Sequence, residues 1–331
     1  MKTVLVTGAS GFIGRHLCLH LRKMGCRVRG LTRTMQQDFS ASELFDEGVV
    51  VRLGAEPLPP HLMAGVDTVF HLAGVAHSEL PTAAMAEVYW AVNLRATEEL
   101  LQSAKAAQVG RFVYFSSVKA AASPPKDRCV DEAWQGEPMD VYGLSKRLAE
   151  QKVLEGGIAG GMHVCNLRPV LVYGSGVKGN LRKMIEAIKA DRFPSLPETG
   201  NRRSLVHVAD VVQAAMLAAE HPDANGKTYI VADNHPYSTR KMYETIRNAL
   251  GMPISRRRIP YAVLALAARI GDGIGRLVPL QVPFDSEKLY KICGSACYSS
   301  RKLQVELGFH PRFELQDALP AMVASLDSSR P

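Results

Sequence analysis

Cysteine is scarce in this chain: six in 331 residues, Cys18, Cys26, Cys129, Cys165, Cys293 and Cys297, with no CxxC pair. That argues against a disulfide-knit scaffold and predicts reduced thiols in a cytosol. Cys293 and Cys297 have no adjacent histidine to activate them. His71, His77 and His207 have no acidic or cysteine partner at ligand spacing, so no metal site is predicted. Long apolar runs are also missing. The longest, Tyr261 to Ile270, stops at ten residues with Arg269 inside it, about half of the ~20 that a spanning helix needs. Although Arg256, Arg257 and Arg258 precede it, this stretch reads as a packed amphipathic helix rather than a membrane anchor. The opening MKTVLVTGAS turns to Gly and Ser after four apolar-leaning residues, without the apolar core of a signal peptide. The expectation is a cytoplasmic protein with no membrane insertion. Internal repeats and low-complexity tracts are absent from the sequence.

What is present is ordinary globular composition, 47% hydrophobic and 22% charged, at a length that allows one large domain or two unequal ones. Lys and Arg number 40 against 32 Asp and Glu, a formal charge of +8, which points to an anionic partner. The basic residues are scattered rather than massed with aromatics, so nucleic acid is not expected.

Up to about residue 173, short β-branched runs alternate with helical stretches, the pattern of βαβ units around a parallel sheet. Strands are predicted at Thr3–Thr7, Arg27–Thr32, Val49–Arg52, Thr68–Leu72, Arg111–Ser116 and His163–Val172. Helices are predicted at Ile13–Met24, Ala83–Val109 and Tyr142–Leu154. The Pro-rich Glu56–His61 and the loop Ala120–Pro138 are expected outside the core. Beyond Tyr173 the alternation weakens, with helices at Leu181–Asp191 and Val211–Glu220 and extended stretches at Ser204–Val208 and Thr228–Ala232. The expected architecture is α/β: a doubly wound parallel-sheet domain over 1–173, to which 204–232 returns, and a smaller mixed α/β substrate domain over 174–331.

The first strand runs into Thr7-Gly8-Ala9-Ser10-Gly11-Phe12-Ile13-Gly14, where a helix begins. Glycines at 8, 11 and 14 permit a tight turn, close backbone approach to a pyrophosphate and close helix-on-strand packing, with phosphates at the helix N-terminus. Dinucleotide binding is therefore expected. The second strand ends Gly30-Leu31-Thr32-Arg33, with no Asp or Glu before Asp38. An acid there would hold a ribose 2′-hydroxyl, whereas an arginine accepts a 2′-phosphate. Arg33, with Arg15 as a possible helper, thus favours NADP(H), and NAD(H) stays open.

Tyr142 and Lys146 are four apart and share one helix face, so an ammonium beside the phenol can ease its proton exchange with a substrate oxygen. Ser116 and Ser117, ending the fifth strand, can direct a hydroxyl at the same oxygen or cap the strand.

Together these residues resemble the extended short-chain dehydrogenase/reductase family, the NAD-dependent epimerase/dehydratase group of nucleotide-sugar epimerases, dehydratases and 4-keto reductases. The resemblance covers nearly the whole chain. Its marks are Gly8, Gly11 and Gly14, His71-Leu72-Ala73-Gly74, Asn93, Ser116-Ser117, Tyr142 with Lys146, and Arg168-Pro169. It implies a Rossmann domain with a C-terminal nucleotide-sugar domain, dimerised through two helices, here 83–109 and 142–154. It implies Ser117 as the catalytic serine, Tyr142 as general acid/base and Lys146 as its ribose-bound modulator. Around the cofactor it implies Gly8, Ser10, Gly11, Phe12, Ile13, Gly14, Leu72, Ala73, Gly74, Asn93 and Ser116, with Pro169 and Val170 beside the nicotinamide. Asn180 and Arg203 fall where family members contact the nucleotide diphosphate, and an arginine fork suits paired phosphate oxygens; a helix N-cap and a surface charge are their plainer readings. Ser295, in the small-residue stretch Cys293–Cys297, implies room for an N-acetyl group or a tight turn, and His77 is expected to line the sugar pocket.

Two departures stand out: Leu53-Gly54-Ala55-Glu56 offers no Asp after the third strand, and Val118-Lys119-Ala120-Ala121-Ala122 replaces the Tyr-Gly pair of many epimerases. The second departure weakens the epimerase reading, while Ser116-Ser117-Val118-Lys119 and the tail from Phe284 to Pro311 resemble the reductase subgroup. That resemblance implies NADPH-dependent reduction of the 4-keto group of a UDP-linked 6-deoxyhexosamine for surface-polysaccharide (O-antigen) synthesis. The alternatives are a UDP-hexose or UDP-N-acetylhexosamine 4-epimerase with bound NAD, and a non-catalytic NADP-binding sensor or scaffold.

Overall fold

The computed structural model describes residues 1–34, 41–76, 82–126, 128–134, 136–233, 235–255, 259–277, 282 and 284–327. The first half alternates β1 (Thr3–Thr7), α1 (Phe12–Lys23), β2 (Arg27–Thr32), α2 (Ala41–Leu44), β3 (Glu47–Val50), β4 (Thr68–His71), α3 (Thr82–Tyr89), α4 (Ala96–Ala106), β5 (Arg111–Phe115), α5 (Val141–Gly160) and β6 (His163–Pro169). There follow β7 (Leu171–Tyr173), α6 (Asn180–Lys189), β8 (Leu205–His207), α7 (Val208–Glu220), β9 (Lys227–Val231), α8 (Thr239–Ala249), α9 (Tyr261–Leu277), α10 (Ser286–Cys293), α11 (Arg301–Leu307) and α12 (Leu315–Asp327).

Seven strands form one parallel sheet in the order β3-β2-β1-β4-β5-β6-β9, the doubly wound Rossmann arrangement. Both faces are covered, as parallel sheets require. Along β1, Val4 and Val6 point into a core with Leu17 and Leu21 of α1 and Val211 and Ala215 of α7. Leu5 between them joins Leu100 and Ala104 of α4 and Ala149 and Val153 of α5 on the other face. The chain switches direction between β1 and β4, whose carboxyl ends meet at Thr7 and His71. That is the crevice in which open α/β sheets bind ligands.

The structure corrects four sequence expectations. The single helix over 83–109 is instead α3 and α4 joined by a π-helical segment, Trp90–Arg95. The single strand over His163–Val172 breaks at Val170: β7 leaves the main sheet and pairs with β8 in a separate two-stranded sheet. The run is apolar throughout, so its periodicity carries no sign of the change of partner. The loop 120–138 is anchored in the core, with Ala120, Ala121 and Val130 buried and the Tyr298 hydroxyl donating to the Ala122 carbonyl at 3.0 Å. Finally, not all thiols are free: Cys129 and Cys297, 168 residues apart, form a disulfide with their Cα atoms 4.4 Å apart. Such a long separation leaves no trace in cysteine spacing. Cys18, Cys26, Cys165 and Cys293 are free. Among the described residues, no helix is long and apolar enough to cross a membrane.

Candidate active site

The turn after β1 is tight because Gly8 adopts φ +67°, a left-handed conformation, while its N–H donates to Leu31 O at 3.0 Å and its carbonyl accepts from Gly11 N. A Cβ on Gly14 would stand 2.2 Å from Gly8 O, and one on Gly8 would stand 2.9 Å from Ala73 N. Side chains are thereby excluded from the floor of this turn. Ser10, Phe12 and Ile13 complete it, and Arg15 Nε ties it by donating to Ser10 O. No side chain caps α1, and its first turn holds no acid, so the first-turn amides and the positive end of the dipole suit an anion.

Hydrogen bonds continue from this turn along the crevice. Ala73 N–H donates to Thr7 Oγ1, which lies 2.7 Å from His71 Nδ1, and His71 Nε2 lies 2.8 Å from Thr97 Oγ1, whose hydroxyl donates to Asn93 O. Thr97 donates to Asn93, so it accepts from His71; this assigns the proton to Nε2 and leaves Nδ1 to accept from Thr7. Burial drives the His71 pKa down to about 3, with Lys146 adding to the effect, so the imidazole is neutral. Asn93, at the π-helical turn, clamps Val75 from both sides, accepting from its N–H at 2.9 Å and donating to its carbonyl at 3.0 Å. The loop Leu72-Ala73-Gly74 is fixed in this way. A Cβ on Gly74 would lie 3.0 Å from both Asn93 Oδ1 and Lys146 Nζ.

Ser117, Tyr142 and Lys146 come together at the carboxyl end of β5. Lys146 Nζ is buried, donates to Phe115 O at 3.0 Å and sits 4.8 Å from the Tyr114 ring centroid. Desolvation lowers its pKa to about 8, against a raising influence from Glu150. Burial pushes the Tyr142 phenol up, and a hydrogen bond with Ser117 pulls it partly back. Ser117 Oγ also accepts from Lys119 N at 3.2 Å, so the capping role foreseen for one of the two serines falls here. Ser116 Oγ is buried with no hydrogen-bond partner among the described residues, and it follows β5 where the neighbouring β6 ends at Pro169 and passes into Val170. The glycine floor, the uncapped helix and this orphan hydroxyl together fit a dinucleotide.

Arg33 is exposed just past the end of β2, the strand whose Leu31 carbonyl anchors Gly8. The residues expected at the diphosphate are less uniform. Asn180 is exposed in the first turn of α6, where Gly179 and not Asn180 is the N-cap. Arg203 Nη1 donates to Lys291 O and Gly294 O, bracing the end of α10. Ser295 is buried and accepts from Arg202 N at 3.2 Å. His77 lies outside the described residues.

Sequence reasoning missed three neighbours. Tyr89 stands with its ring centroid 5.7 Å from that of Tyr142 and donates to Ala76 O. Thr97 closes the His71 chain. Glu150 grips Arg168 in a buried ion pair; its position one turn after Lys146 was the available signal.

The family model for the NAD dependent epimerase/dehydratase family matches residues 4–232, and the chain belongs to that family, a class of oxidoreductase and epimerase enzymes with the short-chain dehydrogenase/reductase fold. Among curated relatives, a UDP-glucose 4-epimerase of Vibrio cholerae is 30% identical over 87% of this chain and 89% of its own. A 4-hydroxy-2-methyl-3-oxo-4-farnesyl-3,4-dihydroquinoline-1-oxide ketoreductase of Stigmatella aurantiaca is 29% identical over 97% of this chain and 96% of its own. Among solved structures, gox2253 superposes with a TM-score of 0.79 at 25% identity, covering 99% of this chain and 98% of that one. MoeE5 in complex with UDP-glucose and NAD gives 0.77 at 24% identity, with 99% of both chains covered, which establishes likeness of fold.

Proposed function

We propose that this enzyme is an NADPH-dependent reductase of the 4-keto group of a nucleotide-linked 6-deoxyhexosamine, of the UDP-4-keto-6-deoxy-GlcNAc type. The observation that carries the reading is the meeting of Ser117, Tyr142 and Lys146 at the carboxyl end of β5, where a hydrogen bond joins the Tyr142 phenol to Ser117 and burial pushes the phenol up, which suits a proton donor. A bound nicotinamide supplies the hydride for the carbonyl carbon. Ser117 orients the sugar's C4 oxygen, Tyr142 gives that oxygen its proton, and the Lys146 ammonium stabilises the charge left on the phenol. Gly8 to Gly14 and Gly74 accept the cofactor's backbone, Asn93 and Ser116 line it, and Pro169 and Val170 border its ring. Arg33 meets a 2′-phosphate, since no acid stands at the end of β2 to prefer a ribose diol. Asn180 and Arg203 serve the diphosphate, with Ser295 and His77 nearer the sugar, in a substrate domain over 174–331.

A second reading, a UDP-hexose 4-epimerase with retained NAD, draws on the Vibrio cholerae relative. One experiment separates the two. NADPH and NADH are offered separately with a UDP-4-keto-6-deoxy-N-acetylhexosamine, oxidation is followed by absorbance and the product is identified by NMR. Stoichiometric NADPH loss with a new C4 alcohol supports the reductase. No oxidation, together with interconversion of UDP-hexoses without added cofactor, overturns it in favour of the epimerase.

A further inference from the structure

Tyr142 is the second residue of α5, so its own helix gives its side chain little support. Helix side chains lean toward the N-terminus, and the ring therefore leans off the end of α5, where no preceding turn backs it. Three contacts hold it. A hydrogen bond with Ser117 fixes the hydroxyl, and Ser145 Oγ donates to the Tyr142 carbonyl at 2.8 Å. The third is Tyr89, the last residue of α3, whose ring centroid lies 5.7 Å from that of Tyr142 with the planes inclined at 56°. That geometry is within the range in which aromatic pairs attract.

Tyr89 is held in turn. Its hydroxyl donates to Ala76 O at 3.4 Å, one residue beyond the Val75 that Asn93 clamps, and Asn93 also donates to Ser145 Oγ at 3.2 Å. Tyr89 and Asn93, at the start and middle of the π-helical turn, thus each link the loop after β4 to the first turn of α5. The turn between them is braced. Glu87 pairs with Arg95 across it, and Gly54 approaches so closely that a Cβ there would stand 2.7 Å from the Ala91 carbonyl carbon. π-Helical turns are frequent at functional sites.

We propose that Tyr89 is a positioning residue for proton transfer: its ring walls that of Tyr142 and ties it to the Leu72–Ala76 loop, so that the phenol keeps a fixed place relative to the cofactor. The proposal rests on Tyr142 as the proton-transferring group, which the reductase and epimerase readings share. Hydride and proton meet at the two ends of one carbonyl, so a donor must hold within about 0.5 Å of a position that the cofactor sets. Misplacement by about 1 Å can cost a hundredfold in rate. Packing alone does not call for a tyrosine here, because Tyr89 is only half-buried and belongs to none of the hydrophobic cores.

The test compares Tyr89→Ala and Tyr89→Phe with Tyr142→Phe, following 4-keto reduction or epimerisation, whichever the wild type performs. Tyr89→Ala is expected to lower kcat about ten- to a hundredfold with cofactor affinity unchanged. Tyr89→Phe, which keeps the ring, should restore kcat, and in the Tyr142→Phe background Tyr89→Ala should cost nothing further. A second readout needs no substrate. Fluorotyrosine placed at position 142 and followed by fluorine NMR should titrate at lower pH in Tyr89→Ala, because burial opposes ionisation of this phenol and the variant uncovers it, while Ser117, Asp140 and Lys146 are unchanged. Tyr89→Leu repeats both measurements if alanine unsettles α3. Wild-type kcat in Tyr89→Ala beside an inactive Tyr142→Phe overturns the inference alone. Equal losses in Tyr89→Phe and Tyr89→Ala, or a fluorine titration that does not move, overturn it as well. An active Tyr142→Phe overturns the proton-transfer reading and takes the inference with it.

Discussion

Glu150 holds the Arg168 guanidinium with both carboxylate oxygens, at 2.8 and 2.6 Å, one helical turn beyond Lys146. The pair is almost wholly buried. The same carboxylate favours the charged form of Lys146, so one residue serves both the scaffold and the triad. Glu150→Gln strands a buried guanidinium, and a loss of about 3–5 kcal/mol is expected in denaturant unfolding. Because a negative charge near the ammonium is lost, the Lys146 pKa should also fall below about 8. An alkaline limb of activity that stays in place in this variant would remove Lys146 as the titrating group.

In the wild type, reduction needs the Lys146 ammonium, so kcat/KM is expected to decline as pH rises through about 8. Stability should move the other way. The folded-state pKa lies below the ordinary lysine value of 10.5, so between about 8 and 10.5 the unfolded chain binds more protons. The contribution of this group to stability therefore rises with pH across that window. Parallel pH series of activity and of urea midpoints check both directions.

Tyr142→Phe removes the transferable proton while keeping the ring that packs against Tyr89. Turnover should fall by about 10²–10⁴ with NADPH affinity nearly unchanged. Activity near that of the wild type would eliminate the phenol as proton donor.

Arg33 is exposed and can be changed without disturbing the core. Loss of a charge-assisted contact to a 2′-phosphate corresponds to about 1.5–3 kcal/mol, so Arg33→Ala should weaken NADPH roughly ten- to a hundredfold while NADH affinity holds. Equal losses for both cofactors in a fluorescence titration would refute the clamp.

Thiol titration of the unfolded, unreduced protein should give four groups, and six after reduction. The Cys129–Cys297 bond closes a loop of 168 residues, so Cys297→Ser is expected to destabilise the chain by about 2–4 kcal/mol.

The parts of the site that were legible in the sequence are those set by local spacing. Gly8, Gly11 and Gly14 act within one turn, and Tyr142 and Lys146 within one helix face, so their geometry follows from chain period alone. β1 and β2 match their predicted ranges because β1 is a short β-branched run that stops at Gly8 and β2 starts shortly after the break at Gly25. What stayed hidden depends on elements meeting across the fold. The Tyr89–Tyr142 contact joins α3 to α5, and Arg168 reaches Glu150 from β6. The π-helical turn at Asn93 inserts into an otherwise uniform helical pattern. For Arg203 and Ser295, sequence reasoning supplied a position, and the hydrogen bonds to the end of α10 and to Arg202 became visible only in the assembled fold.

The placement of β9 has a practical corollary. It runs along Cys165 to Pro169 of β6 as the outermost strand on that side, although it enters the sequence more than fifty residues later. A fragment ending at Tyr173 would hold every glycine of the phosphate turn and the whole triad, yet leave β6 as a bare edge of unpaired amides and carbonyls beside exposed Cys165 and Leu167. Such an edge recruits other strands. Self-association into insoluble material is the fate to expect of the isolated dinucleotide-binding half, so the later segment acts as its built-in guard against aggregation.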